Sequence, residues 1–97
     1  MATDPRIEEI KRELESRLSK SIGDELRWPY RCRYYPPTEP DEPHGFVCES
    51  APGGTFDLDD LREIERILAR RGARLYFFEV EAFDDAVILG INFYFEQ

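Results

Sequence analysis

The alternation of apolar and polar positions is strongest at the end of the chain, in RLYFFEVEAFDDAVILGINFYFEQ. A turn at Asp84-Asp85 sets Ala82 opposite Val87, Val80 opposite Leu89, Phe78 opposite Ile91 and Tyr76 opposite Phe93. Successive side chains of a strand point to opposite faces, so this hairpin gathers a wholly apolar or aromatic face. Its other face takes Leu75, Phe77, Glu79, Glu81, Ile88, Asn92 and Tyr94, which is apolar for a surface and acidic at its centre.

Two segments change period from two to nearly four. Ile7, Ile10, Leu14, Leu18 and Ile22 make a narrow stripe, predicting a helix from Pro5 to about Ile22 that lies on a core without being immersed in it. Asp4 is placed to cap it, Pro5 suits its first turn, and Gly23 suits its end. Leu58, Leu61, Ile64, Ile67 and Leu68 form a wider stripe and a better-buried second helix, capped by Asp57, stapled by Phe56 onto Leu61 and ended by Gly72.

Between the helices, ELRWPYRCRYY alternates again, with Trp28, Tyr30, Cys32 and Tyr34 on one face and Arg27, Arg31, Arg33 and Tyr35 on the other. Pro29 marks an edge or a bulge, because it has no N–H to give to a ladder. The proline-rich acidic loop PPTEPDEPHG and a short strand FVCES follow, and pairing Tyr34 with Phe46 brings Cys32 opposite Cys48. The order is α-β-β-α-β-β. It predicts an α+β domain over residues 1–97, with one four-stranded antiparallel sheet and both helices packed on one face. Two helices cover one side of such a sheet and leave the other open.

Charge narrows the partners. The net charge is −8, a field that repels phosphate backbones and argues against direct nucleic-acid binding. No apolar run has the length of a membrane span, and the first fifteen or so residues are charged throughout, so the expected setting is cytoplasmic.

Candidate chemistry is sparse. Cys32 and Cys48 read as neighbouring buried thiols, reduced in the cell, with a cross-strand disulfide open on geometry. His44 adds a spacing that resembles three zinc ligands. In an extended strand it would stand roughly 13 Å from Cys48, too far to share an ion, so no metal or other cofactor is expected and His44-Gly45 is read as closing a loop. The sequence has no nucleophile elbow, P-loop or dinucleotide fingerprint. The basic-aromatic strand divides its arginines from its aromatics, unlike a base-stacking platform, and its arginines are expected beside Glu79 or Glu81 across the sheet. Two P-x-x-P spacings in the loop read as a stiff, protruding contact.

The function expected from these features is non-enzymatic: a small acidic adaptor, regulator or inhibitor that binds a protein with a basic surface, itself through the sheet, or both. A sharper form is an inhibitor seated in the basic groove of a nucleic-acid-handling partner. The binding residues would be Leu75, Phe77, Glu79, Glu81, Ile88 and Tyr94 on the outer sheet face, with Glu39, Asp41 and Glu42 in the loop. The alternative is a dimeric sensor of a small ligand or metal.

Overall fold

A computed structural model of the chain describes residues 4–18, 20–22, 26–28, 30–50, 56–83 and 86–96, the second and third of these segments by their backbone alone. Helix α1 spans Pro5–Arg17, with the Asp4 carboxylate accepting from the Arg6 N–H at its start. Strands β1 (Lys20–Ile22) and β2 (Leu26–Trp28) pair as a small antiparallel ribbon. Strands β3 (Arg31–Tyr35) and β4 (His44–Glu49) form the first hairpin of the main sheet. Helix α2 (Leu58–Ala69) leads to β5 (Ala73–Ala82) and β6 (Val87–Phe95). The main sheet is antiparallel in the order β3-β4-β6-β5.

The first helix is shorter than its stripe. Leu18 continues the apolar period and is buried, but Lys20–Ile22 leave the helix to pair with Leu26–Trp28. Serine and β-branched isoleucine are mediocre helix formers, and a partner strand satisfies their backbone as well as another helical turn would. The segment read as one strand from Glu25 to Tyr35 is accordingly two, β2 and β3, in separate sheets. Gly23, Pro29, Gly53-Gly54 and the Asp84-Asp85 turn lie outside the described residues, as does the side chain of Trp28.

The second helix follows its signals closely. Asp57 and Asp60 form a reciprocal capping box, and Gly72 ends the turn with φ 70°. Phe56 packs on Phe78, with ring centroids 5.2 Å apart, and so enters the core from the sheet side.

Both helices share one core. Ile7, Ile10 and Leu14 from α1 and Ile64, Ile67 and Leu68 from α2 meet Cys32, Phe46, Cys48, Leu89, Ile91 and Phe93 on one sheet face. Ion pairs tie the helices across their tops: Glu13 meets Arg17 at 3.1 Å, Arg70 at 2.6 Å and Arg71 at 2.8 Å. Arg71 also reaches Glu9 at 2.9 Å. A partly sheltered network of this kind stabilises more than isolated surface pairs do.

Cys32 and Cys48 are opposed in the ladder, as expected, with Cα atoms 4.0 Å apart, but they are joined in a disulfide and are not separate thiols. The Cys32 N–H points away from β4 and donates to Glu15 Oε2 of α1 at 3.0 Å. A helix side chain thereby satisfies a donor on the sheet edge. His44 does not close a loop; it opens β4 opposite Phe93. Its ring stacks between Tyr34 and Phe93 and meets the edge of Phe95.

The C-terminal hairpin keeps the expected pairs Ala82–Val87, Val80–Leu89 and Phe78–Ile91, then departs from the expected register at a bulge. Leu75, not Tyr76, pairs with Phe93. Leu75 therefore packs against the core, whereas Tyr76 is thrown outward and is 66% exposed. Phe78 is half-buried and Val80, expected in the core, is 44% exposed, because the far end of β5 runs past the helices.

Candidate interaction surface

The sheet face opposite the helices is built in three cross-strand rows. Arg31, Glu49, Ile88 and Glu81 make the first, running from β3 to β5. The second holds Arg33, Val47, Gly90 and Glu79, and the third holds Tyr35, Gly45, Asn92 and Phe77. Past the third row, the bulge sets Tyr76 edge-on against Tyr94, with centroids 5.2 Å apart.

The order of the strands decides the electrostatics. Because β4 and β6 lie between them, Arg31 and Arg33 stand at one edge of the face and Glu79 and Glu81 at the other, three strand spacings or about 14 Å away. Two sequence expectations are corrected by this. The acids do not occupy the centre of the face, and the arginines do not sit beside them. The two inner strands carry Gly45, Gly90, Val47 and half-buried Ile88 on this face, with Glu49 at one end and Asn92 at the other.

The glycines make the middle of the face low. A Cβ at Gly90 would lie 3.7 Å from Glu79 Oε2, and one at Gly45 would lie 3.4 Å from Asn92 Oδ1. Glu79 and Asn92 therefore lean inward over backbone that carries no side chain. Large apolar groups stand around this floor: Tyr35 is 48% exposed, Val47 40% and Phe77 50%. Beside them Arg31, Arg33, Tyr35, Val47 and Glu49 line an open concavity next to the β3 edge.

The acidic loop joins the face at one end. Tyr94 donates its hydroxyl to the Asp41 carbonyl at 3.0 Å. Partial burial there, then Tyr76 and the acids Asp41 and Glu42, push the Tyr94 phenol above its ordinary pKa. The loop holds its own shape: Glu42 accepts from the Thr38 hydroxyl at 2.8 Å, and its N–H donates to the Glu39 carbonyl at 3.1 Å. Glu39, Asp41 and Glu42 are all exposed.

Of the residues expected to bind, Phe77, Glu79, Glu81, Ile88 and Tyr94 do share the outer face, and the loop acids adjoin it through Tyr94. Leu75 does not belong with them, because the bulge turns it into the core. Sequence reasoning missed Arg31, Arg33, Tyr35, Gly45, Val47 and Gly90 as members of the same surface. Their alternation was visible, but not the pairing of β4 with β6 that brings the two hairpins together.

Among the described residues, no cluster of histidine, cysteine, aspartate or glutamate is arranged to hold a metal ion. His44, the one histidine, is engaged in the core, where Tyr34 Oη and His44 Nδ1 lie 2.7 Å apart. No described helix is long and apolar enough to cross a membrane. Comparison with known proteins matches no family model, no curated protein and no solved structure.

Proposed function

We propose that the chain is a non-enzymatic protein-interaction module whose binding surface is the open sheet face with the adjoining acidic loop. One observation carries this reading: Tyr35, Val47 and Phe77 are exposed together on a face that neither helix touches. Scattered apolar residues on a surface are ordinary, whereas aromatic groups gathered around a low floor and rimmed by charge have the anatomy of an interface. The net charge of −8 and the loop acids favour a protein partner with a basic surface and speed its approach at low salt. A cytoplasmic setting belongs to this reading.

A tagged chain should retrieve a partner from its native host, and Phe77→Asp should abolish capture while leaving the melting temperature within about 5 °C of the parent, since its side chain faces away from the core. Alkylating thiols before lysis in the same experiment reads the state of the cysteine pair. Undiminished capture by Phe77→Asp would remove the sheet face from consideration and leave the loop.

A further inference from the structure

We infer that the occupant of the open sheet face is a second copy of the chain, docked by a two-fold axis that runs along the strands between β4 and β6. The inference rests on the reading of this face as an interface and names its partner. Rotation about that axis lays β3 over the facing β5 and β4 over the facing β6. Each row is then presented to the same row of the other copy with its ends exchanged.

The second and third rows are complementary under this exchange, and the first is so at its ends, with Glu49 set against Ile88 between them. In the second, Arg33 meets Glu79 of the other copy and Val47 descends onto the other copy's Gly90, where no side chain stands. In the third, Tyr35 meets Phe77, and Asn92 meets the bare backbone of Gly45. In the first, Arg31 meets Glu81. Such self-complementarity is what an isologous interface requires. Glu79, which leans over Gly90 in the single chain, has only to swing outward to reach the opposing arginine.

Shape agrees with charge. A uniformly twisted sheet is a saddle, and this rotation superposes the saddle on itself, so two copies nest at the roughly 10 Å spacing of packed sheets. A two-fold axis across the strands would nest them equally well, but it would set β3 on β3, arginine against arginine, and β5 on β5, glutamate against glutamate. Charge therefore selects the axis along the strands. The loop held by Tyr94 confines the contact to the three rows and leaves Glu39, Asp41 and Glu42 of both copies at one end of the dimer, where a basic partner can still reach them.

The contact is modest. Four strands and three rows give a flat footprint of about 400 Å² per copy, half the roughly 800 Å² per partner of a stable interface. The dimer should therefore be reversible, and weakened by salt, because its edge charges remain near solvent.

Sedimentation equilibrium of the full chain over a concentration series tests the inference. The wild type should dimerise, and Arg33→Glu and Glu79→Arg should each raise the dissociation constant about tenfold or more, by setting like charges in opposition. The double variant should recover the wild-type constant. An equimolar mixture of the two single variants should form a heterodimer tighter than either variant forms alone. Thermal melts confirm that each variant is folded. A wild-type monomer at every concentration overturns the inference. So does a dimer that neither single reversal weakens, because it would use another surface. Either result leaves the interface reading to be judged separately by the capture experiment with Phe77→Asp.

Discussion

At the scale of single residues, His44 shows how the surroundings of one group set its chemistry. Packed among Tyr34, Phe93 and Phe95, its imidazole is held below the ordinary pKa of 6.5 by burial, which outweighs the opposing pull of Asp4, while the Arg6 charge adds a lesser push downward. The neutral ring shares a hydrogen bond with the Tyr34 hydroxyl. A depressed folded-state value means that the unfolded chain binds the proton more readily. The stability from this group is therefore complete above the ordinary imidazole value and is lost as pH falls through the depressed one. Asp4 also has a lowered pKa, owing chiefly to its hydrogen bonds with Arg6, but its contribution is lost only as pH falls below the ordinary aspartate range. The two windows are separable. Melting temperature should fall as pH drops below the ordinary imidazole value, and His44→Phe should shrink that fall while leaving the loss below the ordinary aspartate range in place. A fall of equal size in the variant would place the titrating group elsewhere.

At the scale of elements, local chemistry was well legible and register only partly so. The second helix carried its boundaries in Asp57, Asp60 and Gly72, each acting through its own backbone neighbourhood. Cys32 against Cys48 followed from alternation alone. The bulge at Tyr76 did not, because Leu75 and Tyr76 are both large and apolar and either serves as the partner of Phe93. The choice falls to tertiary packing: Leu75 fits against the core, while Tyr76 finds the ring of Tyr94 outside. Deleting Tyr76 should therefore yield an unbulged ladder with every other residue on its present face. The deletion variant should fold, with a melting temperature within about 5 °C of the parent. Under the regular register, the same deletion would turn Leu75 and every residue before it to the opposite face, and an unfolded product would argue for that register instead. The helix network of Glu13 with Arg17, Arg70 and Arg71 was half visible, since only Glu13–Arg17 is local in sequence and the other pairs need the two helices side by side.

At the scale of the molecule, the α-β-β-α-β-β order announced the layers, but not which strands would meet in the middle. Pairing β4 with β6 separates Arg33 from Glu79 and turns an expected acidic centre into a face with opposite edges. Nothing in the local pattern selects that seam. It is made by long-range contacts: Phe46 against Ile91, Cys48 against Leu89, and Ser50, which accepts the Val87 N–H at 2.8 Å and donates its own N–H to the Val87 carbonyl at 2.9 Å. The seam also has a consequence in time. Each hairpin is joined through its own short connection and can form early, whereas β4 and β6 meet only after the chain between them, α2 included, has closed into a loop. The rate-limiting encounter should then be the docking of one α-β-β half on the other, and substitutions should sort by their distance from it. Ser50→Ala, which removes a seam bond made in that encounter, should slow folding. Stopped-flow measurement of both limbs reads the effect, and a change confined to the unfolding limb would mean that the sheet assembles in another order.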